Sequence, residues 1–244
     1  MLEGLYSAAA GMAAQQEQMN AISNDLANVS TSGYKSERVA FNDLLYNPVK
    51  LSGTETTAGS GASARVIGRG EAQGTLQETD NPLDLAIEGP GYFEVKRANG
   101  SIGLTRNGSF AVDASGTLVN SEGNRLQPPI KLPKGFAAEK LSIAPDGTVF
   151  AGTKKLGQIK LVTVTSPEHL LADGGSEFTP TAQSGKPQAA KGARVHQGAL
   201  EGSNVNIAQE MSLMVSTQRA YQLNSTAIQT ESQMMSIANQ LRPQ

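Results

Sequence analysis

Cysteine and tryptophan are absent from this sequence, and aromatic residues make up only 5 % of it. The missing Cys excludes disulfides, thiol nucleophiles and thiolate-bound zinc in one step, and it suits a protein that works outside the reducing cytosol without oxidative folding. With 38 % hydrophobic residues, a single large core is not expected. Charge of one sign is also scarce: 20 Lys and Arg against 22 Asp and Glu leave a net charge of −2, with no basic run and no aromatic interleaving. That excludes the electrostatic footprint of nucleic acid or of an anionic membrane as partner. A membrane span needs about 20 consecutive apolar residues, and the longest candidate, around Leu5 to Ala14, is short and rich in Ala and Gly, so no membrane insertion is expected. No Lys or Arg precedes Lys35, where a Sec signal peptide would carry its basic region.

What the chain does have is an apolar seam at each end. Leu2, Leu5, Ala9, Met12, Gln16, Met19, Ser23 and Leu26 alternate steps of three and four, the rhythm of a helix that packs on other helices. Near the other end Ile207, Met214, Tyr221, Ile228 and Met235 recur at every seventh position, flanked by Leu213, Ala220, Ala227, Met234 and Leu241. Two readings are open: amphipathic helices lying on the chain's own core, or helices built for neighbours. The first helix is expected from about Gly4 to Asn28, before the turn formers Ser30-Thr31-Ser32-Gly33. The last is expected after Ser203-Asn204, either of which can cap it.

Between these ends, 26 Gly and 11 Pro favour turns and short strands. Pro48 to about Gly61 has the composition of a linker. From Tyr92 onward the pattern is that of hairpins. Asn99-Gly100 predicts a type I′ turn between Tyr92–Lys96 and Ile102–Thr105. Asp113-Ala114-Ser115-Gly116 separates Phe110–Val112 from Thr117–Val119, and Pro145-Asp146-Gly147 separates Leu141–Ile143 from Thr148–Phe150. Leu83–Ile87 and Gln158–Val164 read as further strands. The expected fold class is α+β: terminal helices forming a coiled-coil-like domain around a central all-β domain of hairpins.

No catalytic constellation stands out. His169 and His196 are the two histidines; both read as surface residues, and no G-x-S-x-G elbow supports a nucleophile. Gly59-Ser60-Gly61 and Gly68-Arg69-Gly70 lack a Walker lysine and read as turns. Glu78, Asp80, Asp84 and Glu88 do not have the spacing of a calcium loop and read as acids that decorate the surface or cap turns. No enzyme activity, cofactor or metal is expected.

Three separated motifs carry a resemblance. Asn24-Asp25-Leu26-Ala27-Asn28-Val29-Ser30-Thr31-Ser32-Gly33-Tyr34-Lys35 resembles the N-terminal signature of the flagellar basal-body rod and hook family, with Asp25 where that family usually has a second Asn. Gly198-Ala199-Leu200-Glu201, Ser203-Asn204-Val205, Gln218-Arg219-Ala220-Tyr221 and Asn224 resemble its C-terminal signature. In the middle, Asn81–Ile87, Thr105–Phe110 and Leu126–Ile130 are most similar to the distal-rod type. The Pro48–Gly61 stretch looks shorter than in well-known distal rod proteins, which keeps the proximal-rod type as the alternative, with a secreted binding module, whose seams would pack internally, as a further one.

The resemblance implies a structural subunit that polymerises into a hollow drive shaft. Its partners would be copies of itself in a helical tube, other rod subunits, the hook, the flagellar export apparatus and ring bushing proteins. The site would lie in the basal body, outside the cytoplasm, and be reached without a Sec signal. Residues 1–47 and 191–244 would form an inner domain, 48–80 a linker and the start of the β region, and 81–190 an outer β-rich domain. Subunit packing would fall to Leu2, Leu5, Ala9, Met12, Met19, Leu26, Ile207, Met214, Tyr221, Ile228, Met235 and Leu241.

Overall fold

A computed structural model describes residues 2–44, 46–51, 54–133 and 140–240. Helix α1 covers Leu2–Ala27, and α2 covers Ile207–Gln240. Between them lie β1 (Glu37–Asp43), β2 (Tyr46–Leu51), β3 (Thr54–Gly59), β4 (Ala62–Arg69), β5 (Leu76–Glu78), β6 (Leu85–Glu88), β7 (Tyr92–Lys96), β8 (Ile102–Thr105), β9 (Phe110–Val112) and β10 (Leu118–Asn120). β11 (Arg125–Leu126), β12 (Leu141–Ile143), β13 (Thr148–Ala151), β14 (Lys154–Gln158), β15 (Leu161–Thr163), β16 (Leu171–Ala172), β17 (Glu177–Thr179), β18 (Gln188–Ala189), β19 (Arg194–Gln197) and β20 (Ala199–Glu201) follow. This is the α+β arrangement that the residue pattern implies.

The chain divides into two compact units. One takes in α1 to Leu26, Glu37–Ile67 and the chain from Asn206 onward; the other is Ala27–Ser36 with Gly68–Val205. In the first, the helical unit, β1 pairs with β4, and β2 pairs antiparallel with β3. The stretch with linker composition is therefore a hairpin, its Thr-rich strand laddered against Tyr46–Leu51.

In the second, the β-rich unit, a nine-stranded sheet runs β16-β17-β8-β7-β11-β10-β9, with β15 on β7 and β18 on β15. β8 takes one edge of β7 from Phe93 to Lys96, so β15 at Tyr92–Phe93 and β11 at Val95–Lys96 share the other. One face of β7 is buried at Phe93 and Val95 and the other at Tyr92, while Lys96 at the end of the strand is exposed. Phe93 and Val95 face a cluster with Leu85, Ile87, Phe110, Leu118 and Leu126, whereas Tyr92 joins Leu104, Val162, Val164, Leu170 and Phe178 on the opposite face. Edge-to-face ring pairs anchor each cluster, Phe93 with Phe110 at 5.3 Å and Tyr92 with Phe178 at 5.9 Å.

Four of the hairpins share one turn chemistry, and it differs from the type I′ expected at Asn99-Gly100. A type I′ turn needs positive φ at both central residues, but at Arg97–Gly100 only Gly100 has it, at +85°. Gly100 N–H donates to Arg97 O, and Arg97 N–H to Ser101 O. This is a tight turn followed by a left-handed glycine in a bulge. Asp113–Gly116, Asn120–Gly123 and Ala144–Gly147 repeat the same pair of backbone bonds.

Two other expectations are corrected and a third is narrowed. The strand expected over Gln158–Val164 breaks at Ile159, which turns inward to 2 % exposure, and divides into β14 and β15. The cap of α2 is Asn206, whose Oδ1 accepts Gln209 N–H, rather than Ser203 or Asn204. Asp84, expected on the surface or capping a turn, is buried and does the latter, its carboxylate accepting the Asn81 side-chain amide at 3.1 Å across the Asn81–Asp84 turn.

Candidate assembly elements

In the helical unit, α1 and α2 meet antiparallel. A Cβ at Gly4 would lie 2.7 Å from Glu231 Oε2, and one at Gly11 would lie 2.9 Å from Asn224 Nδ2. Both pairs are seven residues apart on each helix, so the same row brings Gln18 opposite Thr217 and Asp25 opposite Glu210. Small residues on α1 leave room for polar ones on α2. Among the residues whose burial is described, Ala14, Ala21, Ile22 and Asp25 are the buried positions of α1, and Thr217 is that of α2.

The seam residues read from sequence are distributed unevenly. Leu5, Met12, Met19 and Leu26 are half-buried, as are Met214, Tyr221, Ile228 and Met235, whereas Ala9 and Ile207 are exposed. Leu2 opens α1, and Leu241 lies outside the described residues. The row beside Met214, Tyr221, Ile228 and Met235 is polar: half-buried Glu210, Asn224 and Glu231, with buried Thr217 among them. The expected flanking row points elsewhere, with Leu213 and Met234 exposed. Gln218 and Arg219 are exposed, and Arg219 lines an open groove of about 540 Å³ with Val215, Ala220 and Leu223.

Within the β-rich unit, the N-terminal, middle and C-terminal motifs converge on one carboxylate. Glu201 is fully buried on β20. Its Oε1 accepts Lys35 Nζ at 2.6 Å and Gly74 N–H at 3.0 Å, and its Oε2 accepts Arg106 Nη1 at 2.9 Å. Its backbone oxygen accepts Gly33 N–H at 2.7 Å. Lys35 also donates to Ala72 O, and Arg106 donates to Gly89 O and lies 5.4 Å from the Tyr92 ring. Burial pulls the Lys35 ammonium below the usual lysine range; the Glu201 hydrogen bond opposes this and Arg106 adds to it. Burial likewise pushes the Tyr92 phenol up.

Gly33 is required at this junction. Its φ is +70°, and a Cβ there would come within 2.4 Å of Asn107 N. Its neighbour Tyr34 is buried beneath the Arg69 guanidinium, 5.3 Å from the ring centroid. Asn204 closes the junction from the C-terminal side: its Oδ1 accepts Ser36 N–H, and its amide donates to Gly70 O and Ala72 O. Ser203 Oγ accepts Val205 N–H. Asn28 accepts the Thr31 hydroxyl and N–H just before the Gly33 turn, while Ala27 is exposed. In the helical unit, Asn24 donates to Glu37 Oε1. Lys35, Arg106 and Glu201 all lie in motif segments, yet sequence reading did not single them out.

His196 is exposed on β19 and shares an open cleft of about 360 Å³ with Glu78, Asp80 and Gln197. Its ring makes no hydrogen bond among the described residues, and no group of three His, Asp or Glu there could hold a metal ion. His169 is half exposed on a one-turn 3₁₀ helix at Pro167–His169. No helix among the described residues is long and apolar enough to cross a membrane.

Comparison with known proteins matches the same three parts of the chain. Residues 5–35 match the family described as flagella basal body rod protein, 86–151 the flagellar hook protein FlgE/F/G D1 domain, and 196–241 the flagellar basal body rod FlgEFG protein C-terminal. Flagellar basal-body rod protein FlgG of Borreliella burgdorferi is 37 % identical over 265 aligned residues, covering 100 % of both chains. The FlgG of Caulobacter vibrioides is 35 % identical over 99 % of this chain and 100 % of its own. Flagellar basal-body rod protein FlgF of Escherichia coli is 31 % identical over 99 % and 98 %. With end-to-end likeness at this level, and with the matched segments meeting at Glu201, the chain belongs to the flagellar basal-body rod and hook family.

Proposed function

We propose that this chain is a structural subunit of the flagellar basal-body rod, of the distal type, that polymerises with copies of itself into a hollow shaft joined to other rod subunits and to the hook. The observation that carries this reading is the end-to-end match to FlgG rod proteins at 35–37 % identity. It is supported by the apolar surface that α2 leaves in water: Leu223 is 71 % exposed, and Met211, Met234 and Ile237 are more than half exposed. Covering one large side chain contributes roughly 1.5–3 kcal/mol, so neighbouring copies have much to gain there. In this role the protein is not an enzyme, uses no cofactor, reaches the basal body through the flagellar export apparatus, and meets ring bushings where the cell has them.

The FlgF likeness keeps a proximal position as the second reading. Electron microscopy of basal bodies from cells lacking the gene, beside cells given it back, separates the two. A rod truncated near its distal end is the expected result. Truncation nearer the inner membrane favours the proximal position, and intact basal bodies overturn the rod assignment.

A further inference from the structure

We propose that the burial of Glu210, together with the approach of Asp25 that the helix register implies, makes the pairing of α1 with α2 depend on pH, the helices holding together when Glu210 carries a proton and loosening when it is ionised. The inference rests on the geometry of the helical unit and stands or falls apart from the rod assignment. Two close approaches, Gly4 to Glu231 and Gly11 to Asn224, fix the antiparallel register. The same register carries Asp25, 2 % exposed, to the first turn of α2, where Glu210 sits half-buried.

The surroundings assign the proton. Both Asp25 oxygens accept the Glu37 backbone N–H, at 3.0 and 3.2 Å, which favours the ionised form of Asp25. From β1, the Glu37 carboxylate accepts the Asn24 amide and adds a further acid to this end of the unit. No basic side chain among the described residues acts on Glu210; the charge that does is that of Asp25. The amino-terminal dipole of α2 and its Asn206 cap favour an ionised Glu210. Burial, and then Asp25, outweigh them and raise its pKa.

The sign follows by linkage. A carboxyl whose pKa is raised by folding binds its proton more tightly in the folded state, so its contribution is fully present below the unfolded-state value of about 4.3. It is lost as pH climbs through the raised value. The helices hold best in mild acid and loosen toward neutrality.

The test follows the ¹³C carboxyl titration of Glu210 and the ellipticity at 222 nm of the full chain from pH 4 to 8, at fixed ionic strength. In the native chain the helical signal should fall as Glu210 ionises. Asp25→Asn keeps an acceptor for Glu37 N–H and should lower the Glu210 midpoint by the share that Asp25 contributes, leaving the larger share due to burial in place. Glu210→Gln should hold the helical signal high at neutral pH, and it tests the proposal even if Asp25→Asn folds poorly. The proposal is overturned if Glu210 titrates in the ordinary range in the native chain, or if Glu210→Gln leaves the pH profile of helicity unchanged.

Discussion

Glu201 decides whether two buried cations are compensated. Removing one partner of a buried ion pair costs about 3–5 kcal/mol, because the remaining charge stays out of water. Glu201→Gln leaves both Lys35 and Arg106 in that state, so its cost belongs at the top of that range. Lys35→Met leaves Glu201 still held by Arg106 and Gly74 N–H, and removes an ammonium that burial already disfavours. It should cost less than half as much. Urea denaturation of the β-rich unit reads the order, and equal losses would show that the lysine, not the carboxylate, is the hub. Because folding lowers the Lys35 pKa, the unfolded chain binds that proton more tightly, and the unit gains stability as pH rises from the lowered value toward the ordinary lysine value. These roles were partly legible in the sequence. On a strand, residues two apart share a face, so Glu201 shares that of buried Ala199; but its partners lie 166 and 95 residues away, and nothing local names them.

At the level of elements, hydrophobic period located both helices and most of the central strands, since an alternation such as Tyr92–Lys96 has one reading. The turns were less legible because Asn-Gly suits more than one geometry, and the strand over Gln158–Val164 was broken by the inward demand of Ile159. The helix seam was half legible. Counting apolar residues picks out Met214, Tyr221, Ile228 and Met235, which are half-buried, but passes over the polar row beside them, in which Asn224 and Glu231 are accommodated by glycines on the other helix. Gly11 tests this packing. Gly11→Ala displaces only the tip of the Asn224 side chain and gains up to about 1 kcal/mol of helix propensity, so ellipticity and thermal midpoint should hold or rise. Gly11→Leu fills the space that Asn224 occupies and should lower both; a chain indifferent to Leu would place the two helices farther apart than the register implies.

For the whole molecule, the division into a helical and a β-rich unit allows assembly to be damaged without damaging the fold. Met12→Asp or Ile228→Asp puts a charge on a half-buried seam position and should abolish incorporation into rods while the β-rich unit keeps its near-ultraviolet and exchange signatures. Motile cells with normal rods would contradict that. The placement of Glu201 has one more consequence. By residue 190 a ribosome has made every strand of the nine-stranded sheet, yet not the carboxylate that neutralises Lys35 and Arg106, nor the strands that cover β5 and β6. Such high contact order delays closure: in a nascent or lengthwise-threaded chain, Lys35 and Arg106 stay uncompensated until Glu201 is free to reach them.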